Sequence, residues 1–383
     1  MTITEDNLAQ RPTWAEIDLD ALVENLRVIR ARVGSKVSLM AAVKADAYGH
    51  GAVRCAQRLE AAGVDWFGVA LPEEGIELRR GGITKPILCL GGFWAGQENA
   101  CLQQRLTPVV YRLDMIESLD RAARAAGVVV DVHVKIDTGM GRLGLRGDDV
   151  RQFCDTQSRF KNVRVDGLMT HLASADDPAQ DDFTRGQLER FHQAIDMFSD
   201  RGVKPSYIHA ANSAAAFAHP QARGNIVRPG GTLYGFRRDV LPPKIEAPKL
   251  RPVMSLRSRV MLLKTVGAGE KLGYGGTFQT TRESLIATIP IGYDDGYRRS
   301  LSNRSRVIVR GTFAPVVGRV SMDLTLVDVT EAAGVSLHDQ VTLLGSDGAL
   351  AVTAEDLGEL AGTISYEITC GISARVPRIY GAV

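Results

Sequence analysis

The stretch VSLMAAVKADAYGHGAVRCAQRLEAAGVDWFGVA, Val37 to Ala70, places an apolar run, a glycine-bracketed turn, an amphipathic stretch and a second apolar run in series. A strand, a helix and a strand in that order form a parallel unit. The same rhythm continues outward. Short apolar runs occur at VSLMAAV, WFGVA, PILCLGG, LTPVVY, VVVDVHVKI, VRVDGLMTHL, SYIHAA and NIVRPG, mostly separated by amphipathic segments such as MIESLDRAARAAG. Eight strands alternating with helices predict an α/β fold with an N-terminal (β/α)8 barrel of the TIM type, here over residues 14–245. Upstream, TWAEIDL precedes a helix with Asp20 as its expected cap, an apolar stripe of Leu22, Leu26, Ile29 and Val33, and a stop at Gly34.

From Pro242 the texture changes. PPKIEAPKLRP reads as a linker, and beyond it come alternating runs: MSLRSRVMLL, SLIATIPIG, RVIVRG, APVVGRV, LTLVDV and QVTLLG. One helix, TAEDLGELAG with Thr353 as cap, interrupts them. Residues 246–383 are therefore expected to form a separate, mostly antiparallel β domain.

Composition narrows the function. The 383 residues carry a net charge of +2, which favours neither nucleic acid nor an anionic membrane as partner. No apolar run approaches the roughly 18 residues of a spanning helix, and the opening MTITEDNLAQRP lacks the pattern of a signal peptide. Five cysteines without CxxC or metal-ligand spacing fit reduced thiols in a cytoplasmic enzyme without a metal.

A barrel demands that chemistry sit where its strands end. Lys44 and Tyr48 follow the first strand, Lys135 and Arg142 the fifth, His171 the sixth, Asn212 and Ser213 the seventh, and Arg228 and Gly230 the eighth. Alternation along the fifth strand puts His133, Lys135 and Asp137 on one face. A lysine ending an apolar run is ordinarily a solvated strand end; the sharper reading is an amine held for Schiff-base chemistry. AANSAAAF offers a hydroxyl at a helix start, and VRPGG offers two glycines where backbone can approach an anion. A phosphate site beside a strand-end lysine points to pyridoxal phosphate.

The segments AVKADAYGHG, KIDTGMGRLG, THLASAD, HAANSAA, VRPGG, GYGGTF, IPIGYDDGY and GRVSMD resemble, in order, the motifs of the alanine racemase family, from about Trp14 to Tyr380. The resemblance implies a pyridoxal-phosphate barrel followed by a β domain, on which the first strand (about 1–19) packs. It also implies a homodimer with active sites shared between subunits, and interconversion of L- and D-alanine by two bases, supplying D-alanine. Lys44 resembles the Schiff-base lysine that also works on the D face. Tyr274 resembles the opposing base, reaching in from the partner. Arg228 resembles the arginine on the pyridine nitrogen, with His171 orienting it. Tyr48, Ser213, Gly230 and Gly231 resemble the phosphate ligands, and Asn212 would position them or Arg228. Arg142 resembles the arginine facing the phenolic oxygen and the substrate carboxylate, anchored by a carbamylated Lys135. Met322 resembles a residue whose backbone meets the substrate carboxylate, and Asp176, Tyr293 and Arg299 match the entrance channel.

Three positions depart from the family pattern. Ala374 stands where a tyrosine is usual, Gly231 replaces an isoleucine, and Ser321 replaces a common cysteine. The alternatives are a broad-range or serine-preferring racemase, a barrel-type decarboxylase, and a non-catalytic pyridoxal-phosphate carrier. The racemase motif GYGGTF opposes the decarboxylase, and the β domain opposes the carrier.

Overall fold

The structure, a computed structural model, describes residues 11–243, 245 and 249–381. The expected start of the 1–19 segment, at residues 1–10, and the expected domain boundary, at 246–248, lie outside the described residues. The chain divides into two compact units. One comprises residues 22–47 and 51–251; the other comprises residues up to 21, 48–50 and 252 onward.

The first unit holds eight parallel strands: β2 (Ser38–Ala42), β3 (Trp66–Val69), β4 (Ile87–Cys89), β5 (Thr107–Val110), β6 (Val130–Lys135), β7 (Val163–Met169), β8 (Tyr207–His209) and β9 (Ile226–Val227). They pair in chain order from β2 to β8, and β9 returns to pair with β2. At the remaining seam, Asn225 bonds the Ile208 backbone through both its N–H (3.2 Å) and its side-chain Oδ1 (2.9 Å). The Arg228 N–H donates to the Ala211 carbonyl at 3.0 Å. All eight expected strands are present. Met40, Trp66, Leu88, Val109, Met169 and Ile226 fill the barrel interior, a packed core and not a pore.

The helix Leu19–Val33 has the expected stripe, but its cap is Asp18: Oδ1 accepts from the N–H groups of Asp20 (3.0 Å) and Ala21 (2.8 Å). Asp20 lies within the first turn, two residues past the capping position.

The second unit is built on a seven-stranded sheet. Strands β16 (Thr312–Pro315), β15 (Arg306–Val309), β18 (Gln340–Asp347), β10 (Met254–Arg259), β1 (Thr13–Asp18) and β20 (Arg378–Gly381) lie side by side, and β19 (Leu350–Val352) pairs with β18. Buried Arg257 on β10 reaches Glu16 on β1 at 3.0 Å and the Thr342 hydroxyl on β18, so one guanidinium ties three strands. A second sheet joins β11 (Leu262–Val266), β14 (Ser284–Ile289) and β17 (Thr325–Asp328). A two-stranded ribbon joins β12 (Lys271–Leu272) to β13 (Phe278–Gln279).

Three details differ from expectation. MSLRSRVMLL breaks after Arg259 into strands of two sheets, and APVVGRV leaves the ladder after Pro315 apart from one bridge at Val316. A second short helix, Ser365–Cys370, follows Ala354–Ala361, whose Thr353 cap is as expected (3.1 Å to the Asp356 N–H). SYEITC is too short to carry a helical period, so packing decides it.

Candidate active site

At the end of β2 the chain turns left-handed. Ala45, Asp46, Ala47 and Tyr48 have φ of 52°, 52°, 53° and 56°, and Gly49 has 85°. Each L-residue in that region costs about 1–2 kcal/mol, so a run of four must be held from outside. Glu74 accepts from the Ala45 N–H at 2.7 Å and, through its other oxygen, from the Ala70 N–H at 2.6 Å. Asp46 accepts from the Ala52 N–H at 2.6 Å. Gly49 is required twice, because a Cβ there would also lie 2.1 Å from the Thr369 carbonyl oxygen. Strain held this firmly at a strand end marks a site, and Lys44 opens the turn.

Four cations gather at this end of the barrel. Burial, followed by the charges of Arg142, Arg228 and Lys44, pulls the Lys135 ammonium down to about 7, with Asp137 acting against them. Asp137, expected on the face of His133 and Lys135, follows the strand by two residues. It lies past the strand end, where Oδ1 accepts from the Gly139 and Gly141 N–H groups at 3.0 Å each and so folds the loop.

Arg228 is the buried centre. Nη1 meets His209 Nδ1 at 2.8 Å and the His209 carbonyl at 3.1 Å. Nη2 donates to the Thr170 (2.7 Å) and Ala210 (3.0 Å) carbonyls. His171, the expected orienting partner, stands 3.5 Å from Nη2; the short imidazole contact belongs to His209. Because guanidinium can only donate, His209 Nδ1 must accept. Nε2 of His209 therefore carries the proton and donates to His133 Nδ1, 2.8 Å away. Burial first, then Arg228, holds His209 well below its usual value and His133 at about 3. Both rings are neutral, as the chain of bonds requires. His209, His133 and Thr170 are thus site residues that sequence reading did not assign. The inward parity of His133 with Lys135 was the available signal.

The anion cradle forms after β8 and β9. Asn212 caps the helix Ser213–Ala218, its Oδ1 accepting from the Ala215 N–H at 3.0 Å. Ser213 Oγ accepts from the Gly230 N–H at 2.9 Å and the Thr232 hydroxyl at 3.1 Å. That leaves the Ser213 proton, and not the Gly230 N–H, as the donor available to an anion. Gly231 opens a 3-10 turn ending at Tyr234, whose hydroxyl donates to the Ala42 carbonyl at 2.9 Å.

In the second unit, Tyr48 is buried with its ring 5.5 Å from that of Tyr366. Tyr274 sits on a glycine-rich turn and is 71% exposed in this chain; Met322 is 52% exposed. The loops of Tyr293 and Met322 are joined by Tyr293 N–H to Ser321 O (2.9 Å) and Asp294 N–H to Met322 O (3.1 Å). Tyr293 and Arg299 line one cavity of about 370 Å³. Asp176, expected with them, belongs to the barrel unit. Ala374 borders another cavity, of about 390 Å³, with Arg11, Arg375 and Pro377.

Comparison with known proteins converges on one family. Residues 17–238 match the family model for the N-terminal domain of alanine racemase, and residues 253–380 match its C-terminal domain. The alanine racemase of Symbiobacterium thermophilum is 46% identical over 374 residues, covering 97% of both chains. The solved alanine racemase of Clostridium difficile 630 superposes with a TM-score of 0.91 at 37% identity, covering 97% of this chain and 96% of that one. The alanine racemase of Bartonella henselae, solved with covalently bound pyridoxal phosphate, superposes at 0.87 with 29% identity over 97% and 99% of the two chains. A strand-end lysine, a buried arginine on a neutral histidine and both domain models in order lead to one conclusion: the chain belongs to the alanine racemase family.

Proposed function

We propose that this chain is an isomerase that interconverts L- and D-alanine, with pyridoxal phosphate as cofactor, over a cofactor-binding barrel (14–245) and a β domain (246–383, with 1–19). The observation that carries the reading is the cation cluster of Lys44, Lys135, Arg142 and Arg228 at the barrel mouth. Such a cluster calls for anions, and a phosphate and a substrate carboxylate supply them. The donor set fits the cofactor. Four of the five Arg228 donor protons meet protein acceptors, while Nε–H has no partner among the described residues. A ring nitrogen would complete it, and Ser213 O–H, Tyr48 and the Gly231 backbone would hold the phosphate, while Gly230, expected as a further ligand, would act through its bond to Ser213.

When bound, the cofactor withdraws electrons and makes the amino acid's α-proton acidic. Lys44 would hold the cofactor and move the proton on the D face, and Tyr274 would move it on the L face. Arg228 donates and keeps its own proton. Facing a bound ring nitrogen, Arg228 would therefore leave it unprotonated and so restrain electron withdrawal. Arg142 would grip the substrate carboxylate with the Met322 backbone. A carbamate on Lys135 would replace a repelled cation by an anion facing Arg142; a lysine at about 7 exposes the neutral amine that carbon dioxide requires.

Tyr274, Met322, Tyr293 and Leu324 form exposed surface in this chain, which supports a homodimer whose sites are shared. Five cysteines, all free of disulfides, support a cytoplasmic setting. No helix among the described residues is long and apolar enough to cross a membrane.

The test is stereochemical. Borohydride should fix the cofactor on the peptide containing Lys44, and Lys44→Ala should abolish D-alanine formation. Tyr274→Phe should slow proton removal from L-alanine by about 10²–10⁴ while leaving the cofactor bound. Failure of the wild-type protein to convert either enantiomer would refute the proposal.

A second reading, a broader racemase that also accepts serine, is favoured by Ala374. Alanine in place of a tyrosine removes a ring and a hydroxyl at the cavity that it borders with Arg11 and Arg375, and even an apolar pocket rejects an added hydroxyl by only about 10² at best. Ala374→Tyr should raise the alanine-to-serine ratio of kcat/KM; an unmoved ratio removes this reading.

A further inference from the structure

The helix Asp181–Ser199 buries one amide completely, that of Gln187. All of its bonding groups are used. Oε1 accepts from the Ala173 N–H at 2.9 Å. Nε2 donates to the His171 carbonyl at 3.1 Å and to Thr138 Oγ1 at 3.2 Å. Thr138 Oγ1 in turn lies 2.7 Å from Thr170 Oγ1, which donates to the Ile136 carbonyl at 2.9 Å. The Thr170 hydroxyl has one proton, and Ile136 receives it. Thr138 must therefore donate to Thr170 and accept from Gln187, so every proton in the chain has a fixed direction.

The two ends of this network are the two halves of the site. Thr138 lies in the loop between Lys135 and Arg142. Thr170 and His171 end the β7 segment, and the Thr170 carbonyl holds Arg228 at 2.7 Å. An apolar side chain in this position would avoid the cost of burying an amide. Gln187 is the only side chain among the described residues that bonds both Thr138 Oγ1 and the His171–Ala173 backbone.

We infer that Gln187 is a positioning residue for the racemase site, setting the spacing between the Arg142 loop and the Thr170–Ala173 segment that holds Arg228, without touching substrate. The inference rests on the proposed function.

Gln187→Glu is the direct test, because the substitution keeps the shape, sets a carboxylate oxygen against the His171 carbonyl, and makes the Thr138 hydroxyl turn its proton from Thr170 to the glutamate. In cofactor-free protein, amide hydrogen exchange at residues 136–142 and 170–173 should accelerate at least tenfold. In loaded protein, kcat/KM for alanine should fall roughly 10- to 100-fold, the scale of a misplaced binding group, chiefly through KM. The loss should lessen as pH falls, since a protonated glutamate recovers one donor. Wild-type exchange and kcat/KM in a folded, loaded Gln187→Glu protein would overturn the inference, as would a uniform loss with no change in pH profile or KM. A wild-type protein that racemises nothing would instead refute the proposed function, while the exchange measurement still judges the network. If Gln187→Glu does not fold, Gln187→Met with Thr138→Val removes the network without orphaning Thr138. It must show the same exchange and KM changes for the inference to stand.

Discussion

Lys135 shows how one side chain reports the state of the whole site. Its folded value of about 7 lies well below the 10.5 of a free lysine. Between these values the unfolded chain holds a proton that the folded chain has released. Unfolding therefore binds protons there, and stability rises with pH across that window. In carbon-dioxide-free buffer, urea midpoints should climb from pH 7 towards 10, and Lys135→Gln should flatten the climb. An equal slope in both proteins would mean that another group titrates. Sequence reading placed this lysine in the site, because a cation ending an apolar strand is a local feature. It did not find His209, whose role depends on which imidazole a buried guanidinium reaches first.

At the scale of elements, the left-handed turn from Ala45 to Gly49 is the longest run of positive φ among the described residues. Replacing exposed Ala45 by glycine relieves a left-handed L-residue and adds chain entropy, two effects of about 1 kcal/mol that nearly cancel. The same change at Ala122, inside the helix Leu113–Ala126, has only the cost, about 1 kcal/mol. Gly49→Ala must displace the Thr369 carbonyl and should cost more than 2 kcal/mol. Denaturant midpoints of the three variants check the order; a strongly destabilised Ala45→Gly would contradict a left-handed Ala45. The glycines bracketing this turn were legible from sequence. Its handedness was not, because alanine and aspartate carry no local preference for four successive positive φ values.

For the whole molecule, a site shared between subunits predicts complementation. Lys44→Ala and Tyr274→Ala chains, each inactive alone, should regain activity when mixed and allowed to exchange, because one heterodimer site keeps both bases. Exchange shown by mass with no returning activity would place both bases in one chain.

Sequence alone determined the eight-strand alternation, the change to β texture after Pro242, and the lysines, arginines and glycines at strand ends. Each rests on period, turn chemistry or charge, which act over a few residues. Tertiary structure alone decided that Arg228 pairs with His209 more closely than with His171, that Ser213 takes the Gly230 N–H, and that Gln187 joins two loops. These bonds arise where β7, β8 and β9 come together as the barrel closes. A buried donor takes whichever acceptor that closure brings within reach, and residues 14 to 49 positions apart carry no local trace of the choice.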